Sequence, residues 1–313
     1  MSKINELKAG DEGVIADALI NRVVAGKTNG ANRSTYLSIT LQDKSGTIDA
    51  KLWNATNEQV EKLIVGPVVQ VKADVIKYND DRQMKIIKIH ILSNDPQEQV
   101  KYLKSAPSTG DELVDGIRGY IDQIDNLKLN QLVKSLFSEH MEKLTIYPAA
   151  SKNHHEYVSG LAHHTYSMLK IAEALWNLYP ALDKDLLISG ITLHDLGKTV
   201  ELSGPVVPEY TVEGKLLGHI SISQAMIKEK ADEMKIDGEE ITLLQHMILS
   251  HHGKNEFGSP GLPQIKEAEI VYLIDNMDAR INMLEKALEM VEPGSFSKRI
   301  FPLENRAFYK PKI

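Results

Sequence analysis

Apolar and polar residues alternate with period two over Tyr36-Leu37-Ser38-Ile39-Thr40-Leu41 and again over Thr47-Ile48-Asp49-Ala50-Lys51-Leu52-Trp53, the pattern of half-buried strands. Asp43-Lys44-Ser45-Gly46 between them has the chemistry of a turn. Val14–Ile20 and Val68–Val75 predict two more strands, and Met84–Leu92 a fifth after the turn Asn79-Asp80-Asp81-Arg82. A polar loop is expected over Ala25–Arg33 and a short helix over Ala55–Leu63. Past Ser93–Gly110, a linker with Pro96 and Pro107, the apolar spacing lengthens to three and four residues. Helices are predicted at Glu112–Leu127, Leu129–His140, Leu161–Tyr179, Asp185–Val200, Leu217–Met234, Glu239–His252 and Lys266–Val291.

Five strands with a helix between the third and fourth follow the order of an OB-fold. The expected architecture is therefore an N-terminal five-stranded OB-fold β-barrel (1–92), a linker (93–110), an all-α domain (111–292) and a tail (293–313). Asp43-Lys44-Ser45-Gly46-Thr47-Ile48 followed by Leu52-Trp53 resembles the second and third strands of nucleic-acid-binding OB domains of the tRNA anticodon-binding type. Tyr36, Trp53 and Tyr78 could stack bases, at about 1–3 kcal/mol each. Lys27, Arg33, Lys51, Lys77 and Arg82 could follow the phosphates. The competing readings are that the aromatics pack the barrel core, or that the module only docks.

Composition narrows the chemistry. The absence of cysteine excludes disulfides, thiolate zinc sites and cysteine nucleophiles. No run approaches the ~20 apolar residues of a membrane helix, and Met1–Glu6 lacks the apolar core of a signal peptide, so the cytoplasm is the expected location. A net charge of −7 argues against coating duplex DNA by charge alone. Residues 1–95 hold 13 Lys and Arg against 12 Asp and Glu, a net of +1, which leaves −8 for the remainder. The acidic excess lies with the histidines, and the first segment is neutral enough to approach a phosphate backbone.

Nine of the eleven histidines fall between 154 and 252, where an even spread would put about a third. Imidazole is the commonest side-chain metal ligand, so the clustering suggests a polyhistidine site; satisfied core or surface histidines are the competing reading. Leu193-His194-Asp195-Leu196-Gly197-Lys198 ends an apolar run that reads as a buried helix. On it His194 and Asp195 would lie roughly 100° apart about the axis, close enough to share one metal, with the carboxylate free to bridge to a second. Lys198, four residues beyond His194, would project from the same face and could meet an anionic substrate; a cation favoured by the helix C-terminus is the competing reading. His164, His194, Asp195, His219, His251, His252 and Asp275 fall on five otherwise apolar predicted helices. Burying such groups unpaired costs several kcal/mol, and a metal accounts for all of them at once. Nitrogen and carboxylate ligands without thiolate suit Mn, Fe, Co, Ni or catalytic Zn. His246, roughly 140° from His251 around a helix, reads as structural.

The order of these residues resembles the HD-domain phosphohydrolases. The fuller set resembles the YhaM family: Tyr147-Pro148-Ala149-Ala150 before His154-His155, Gly160-Leu161-Ala162-His163-His164-Thr165, His194-Asp195-Leu196-Gly197-Lys198, Tyr210-Thr211-Val212-Glu213-Gly214 with Gly218-His219, Ser250-His251-His252-Gly253, and Asp275-Asn276-Met277-Asp278-Ala279. Members of that family are bacterial 3′-to-5′ exoribonucleases that join an OB domain to an HD domain. Ala162-His163 stands where the family pattern has Leu-Glu, which sets His163 apart from the ligands. The resemblance implies a first metal held by His164, His194, Asp195 and Asp275, and a bridge through Asp195 to a second held by His219 and His251, with His252 as an addition. Two divalent ions are thus expected, Mn²⁺ foremost, with Co²⁺, Fe²⁺ or Ni²⁺ as alternatives.

In this reading Asp195 and Lys198 are the catalytic residues, Lys198 binding a non-bridging phosphate oxygen. Tyr210 and Thr211 would shape the mouth of the site, and His155 either contacts substrate or is a surface histidine. The expected partner is single-stranded RNA, with single-stranded DNA as a second candidate; no membrane partner is expected, and a homo-oligomer is. Two rivals remain: an HD phosphohydrolase acting on nucleotides or cyclic dinucleotides, and a single-stranded-DNA-binding replication factor with an inert HD domain. The tail, 297–313, carries five Lys and Arg against one acid and three aromatics. Its two prolines make a continuing helix unfavourable, so an extended segment is expected. Docking through Phe301 and Phe308 is favoured over a strap in which Arg306, Phe308 and Tyr309 meet the RNA.

Overall fold

A computed structural model describes residues 2–29, 33–79, 81–149, 157–206, 208–289 and 291–313. The chain divides into two compact units, Met1–Ser105 with Pro205–Val207, and Ala106–Gly204 with Pro208–Ile313.

In the first unit β1 (Val14–Lys27), β2 (Thr35–Asp43), β3 (Gly46–Leu52), β4 (Val68–Tyr78) and β5 (Asp81–Ser93) close a barrel in the order β1-β2-β3-β5-β4. A parallel contact, Asp49 opposite Gln83 to Lys51 opposite Lys85, completes the closure. Leu37, Ile39 and Leu41 of β2 point inward at alternate positions, as the period-two pattern requires. They meet Ala18, Ile20, Val69, Val71 and Met84 in the core. α1 (Asn57–Lys62) fills the β3–β4 connection, started by a reciprocal capping box between Thr56 and Gln59. This is the OB-fold the alternation predicted.

One boundary differs. β1 runs on to Lys27, through residues expected in a loop. A register shift between Ile20 and Arg22 re-aims the strand, and Arg22–Lys27 continue the ladder with β2. That half of β1 is largely exposed, so it carries no hydrophobic alternation to read. The stretch expected as a linker contains a short helix, α2 (Pro96–Val100).

The second unit is helical: α3 (Gly110–Ile121), α4 (Leu127–Leu144), α5 (Gly160–Leu178), α6 (Lys184–Leu193), α7 (Lys198–Glu201), α8 (Val212–Glu233), α9 (Glu239–Ser250) and α10 (Lys266–Glu289). The expected α3–α4 junction falls earlier, because Asn126 accepts from the Lys128 and Leu129 amides and caps α4. α6 is the axis of the unit. Every residue from Leu186 to Leu193 is buried, as a helix apolar on all sides must be, and α4, α5, α9 and α10 pack around it. The single helix expected over Asp185–Val200 is broken at His194–Gly197 into α6 and α7. α8 begins five residues before its expected start and is itself broken at Gly218, whose φ is 72°.

The tail is not extended. It folds back on itself through antiparallel bridges between Phe296 and Tyr309 and between Ile300 and Arg306. It docks on α10, but not through Phe301, which is 86% exposed. Leu303 is buried instead, and Glu304 accepts a two-pronged bond from Arg280, at 2.9 and 3.0 Å. Lys310 Nζ donates to the Leu288 carbonyl at 3.0 Å, and Arg306 lies over the half-buried Phe308 ring.

Candidate metal centre and nucleic-acid face

Four histidines converge because helix ends and carboxylates turn their rings the same way. His194 follows the last turn of α6 and His251 the last turn of α9. Helix ends leave carbonyls without intrahelical partners. Nδ1 of His194 lies 2.7 Å from the Ile191 carbonyl, and Nδ1 of His251 lies 2.7 Å from that of Ile248. A carbonyl only accepts, so each Nδ1 carries the proton and each Nε2 is left as the electron-pair donor. Carboxylates impose the same choice elsewhere: His164 Nδ1 donates to Asp278 at 2.7 Å, and His219 Nδ1 to Glu201 at 3.1 Å. Fixing the imidazole through its outer nitrogen is the usual support of a histidine ligand.

The four Nε2 atoms surround Asp195. Its Oδ1 lies 3.3 Å from His219 and 3.8 Å from His251; its Oδ2 lies 3.2 Å from His194 and 3.9 Å from His164. Each carboxylate oxygen thus faces one histidine pair. Asp275 also faces His164 Nε2, at 3.2 Å, and the His252 ring packs on that of His251 with centroids 4.3 Å apart. His194 Nε2, His219 Nε2, His251 Nε2 and Asp195 Oδ1 are buried with no hydrogen-bond partner among the described residues. Orphaned donors and acceptors of this kind are costly unless something absent satisfies them. Among the described residues two groups fit a cation: His164, His194 and Asp195, and His219, His251 and His252. The neutral-nitrogen and carboxylate chemistry suits a divalent transition metal.

The electrostatics agree. Burial, with His252 and His194 alongside, holds His251 well below its ordinary pKa, in the neutral form a ligand needs. Burial alone would lower His164, but Asp275 and Asp278 outweigh it and push it up to about 10. A proton is held there by the same negative field that would hold a cation. Burial would raise Asp195, yet Lys198 and the histidines keep its carboxyl well below the usual range. Burial would likewise raise Glu201, and His219 more than offsets it.

Two glycines make the convergence possible. Gly197 N donates to Ser223 Oγ at 2.7 Å, and a Cβ at 197 would lie 2.3 Å from the His219 carbonyl. A larger residue would push α8 away from Asp195. Gly218 adopts φ 72°, open to glycine and strained for others, and the break turns His219 inward, its amide donating to Glu201 at 3.0 Å.

The other predicted site residues divide. Lys198 does not share a helix face with His194, because the helix has ended. Its buried ammonium donates to Asp195 Oδ2 at 2.7 Å. Thr211 caps α8, accepting from Gly214 and donating to the Val200 carbonyl, so it acts on the backbone. Tyr210 is exposed, in a bridge with Leu202. His155, with His154, lies outside the described residues. His163 meets the Tyr157 hydroxyl at 2.6 Å, and His246 accepts from the Gln264 amide, as a structural histidine would. Sequence reasoning missed Glu201 and Asp278. Asp278 stands within the stretch Asp275–Ala279 that carries the resemblance and follows Asp275 by one helical turn, but no role was assigned to it there.

On the barrel, Tyr36 and Trp53 lie together with ring centroids 5.2 Å apart, and Lys51 Nζ sits 4.5 Å over the Tyr36 ring. Trp53 is 46% exposed, Lys27 and Arg33 are also exposed, and Tyr36 lies over Gly26. Tyr78 and Arg82 do not join them. The β3–β5 register puts both toward the β2–β3 turn, the other end of β3 from Trp53. Arg82 is moreover committed to the Ile4, Asn5 and Leu7 carbonyls.

Residues 161–280 match the family profile of the HD domain, and residues 22–92 that of an OB-fold nucleic acid binding domain. Among solved structures, the chain is similar to the second OB-fold domain of replication protein A from Methanococcus maripaludis, determined in solution. The two share 18% identity over 30% of this chain and 96% of that one, with a TM-score of 0.26. A crystal structure of a domain of replication protein A from the same organism shares 22% identity over 29% and 94%, with a TM-score of 0.25. No helix among the described residues is long and apolar enough to cross a membrane.

Proposed function

We propose that this chain, an OB-fold nucleic-acid-binding domain followed by an HD domain, is a metal-dependent 3′-to-5′ exonuclease that degrades single-stranded RNA. The observation that carries the reading is Asp195, whose two oxygens each face a separate pair of histidine Nε2 atoms. His164, His194 and Asp195, with Asp275 beside them, would hold one divalent cation. His219, His251 and His252 would hold a second, with Asp195 shared between the two. Such a pair of cations, Mn²⁺ foremost, supplies a water nucleophile at neutral pH and charge stabilisation for phosphodiester hydrolysis.

The remaining residues serve that chemistry. Lys198 orients Asp195 and offsets its charge. Asp278 and Glu201 keep the His164 and His219 protons on Nδ1. Tyr36 and Trp53, with Lys51, Lys27 and Arg33, offer a sequence-tolerant stacking platform for a single strand. The polarity and the preference for RNA rest on the YhaM resemblance. The test is a timed digestion of end-labelled single strands, RNA and DNA, with Mn²⁺ and with EDTA. Stepwise loss from the 3′ end of RNA, abolished by EDTA, is expected. Intact strands alongside hydrolysed nucleotides or cyclic dinucleotides would instead favour a small-molecule phosphohydrolase.

A further inference from the structure

The docked tail leaves its most adhesive side chains facing outward. Phe296 and Phe301 are 68% and 86% exposed, and Phe296 packs on the half-exposed Tyr309 with centroids 5.1 Å apart. Across a strand pair, alternate residues share a face: Ser297 and Phe308 turn toward the protein, so Phe296, Lys298 and Tyr309 turn away. Lys298 and Arg299 are exposed and form no ion pair among the described residues. By contrast Arg306 is spent on Glu304, and Lys310 on carbonyls at the end of α10. The side chains that dock the hairpin on α10, Glu304 and Lys310, are thus different from those it displays.

Its direction is equally specific. Lys310 anchors the base of the hairpin at Leu288, and Glu304 anchors its tip at Arg280. The tip therefore points back along α10, and Arg280 lies five residues from Asp275, about 7.5 Å along the axis and roughly 140° around it. Aromatic rings interleaved with uncommitted cations suit a polyanion with flat bases. A like-charged protein surface or a lipid would use one half of that chemistry and not the other.

We infer that the C-terminal hairpin, through Phe296, Lys298, Arg299, Phe301 and Tyr309, is a second single-strand binding surface, distinct from the barrel, carried on α10 of the HD domain. It rests on the nuclease reading for its substrate. It takes nucleotides of the strand outside the metal centre, by stacking on Phe301 and the Phe296–Tyr309 pair and by phosphate contacts to Lys298 and Arg299.

The test uses the full chain in EDTA, where binding is read without hydrolysis. Affinity for a fluorescent oligouridylate is measured by anisotropy over a salt series, for wild type and for R299E/F301A. Weakening of about tenfold is expected, with a shallower salt dependence, roughly 0.7 in log–log slope for each phosphate no longer neutralised. Melting temperature and light-scattering mass should not move. Lys298→Glu alone should act in the same direction. Unchanged affinity in both variants would overturn the inference; so would a fall in mass, which would make the face an interface between copies of the chain. Hydrolysis is scored separately on adding Mn²⁺. A protein that binds through the hairpin but does not cleave would sink the nuclease reading and leave the hairpin standing.

Discussion

Glu201 Oε1 receives two hydrogen bonds from one residue, the His219 backbone amide at 3.0 Å and the His219 Nδ1–H at 3.1 Å. A single carboxylate thus fixes where α8 restarts after Gly218 and which ring nitrogen of His219 is free. Losing such an outer-shell partner usually costs 10–100-fold in metal affinity. Glu201→Ala should weaken Mn²⁺ binding by about that factor, as titration calorimetry would record. Glu201→Gln keeps an acceptor oxygen and should restore most of it. Equal affinity in wild type and Glu201→Ala would remove Glu201 from the centre. Asp278→Asn makes the parallel case for His164.

These two carboxylates also mark where the sequence stopped being informative. His164, His194, His219 and His251 stand out because histidine is rare on apolar helices, and their convergence into a cluster that could hold a metal was expected on that ground. Glu201 and Asp278 are ordinary acids that meet their histidines 18 and 114 residues away; nothing local sets Glu201 apart, and Asp278 is marked only by its place one turn after Asp275. Lys198 was assigned by helical spacing, which fails once the chain leaves the helix at His194. The barrel was legible wherever one face is buried, and lost where β1 is exposed on both. Arg82 looked like a phosphate contact because charge alone does not reveal that three carbonyls of the N-terminal turn already use it. The tail's hairpin escaped because Leu303, one residue among several aromatics, carries the burial.

Trp53 and Arg82 should separate binding from stability. Trp53→Ala removes an exposed ring from the Tyr36 platform and should weaken single-strand binding by about 1–3 kcal/mol, with little change in melting. Arg82→Ala should do the reverse, lowering the melting temperature while leaving affinity nearly intact. Anisotropy and thermal denaturation on the same two samples decide it. A larger affinity loss in Arg82→Ala than in Trp53→Ala would return Arg82 to the binding face.

The hairpin has a pH dependence of defined sign. Its bond from Arg280, reinforced by Arg306, holds the exposed Glu304 carboxyl down at about 2, against roughly 4.3 when unfolded. The unfolded state binds the proton first as pH falls, so the contribution is complete above about 4.3 and fades toward 2. The melting difference between wild type and Glu304→Gln should therefore be constant near neutrality and shrink below about pH 4. A difference that grew on acidification would show that Glu304 does not anchor the hairpin.

The most direct test of the account is Asp195→Asn. The amide can still accept from Lys198, so the buried ammonium keeps a partner and the helical fold should persist. What is lost is the anionic bridge. Wild type should bind two Mn²⁺ per chain and digest an end-labelled single strand; the variant should lose at least 10³-fold in rate, about 4 kcal/mol of barrier, with unchanged helical circular dichroism. Near-wild-type digestion by Asp195→Asn at matched metal content would contradict the two-metal centre.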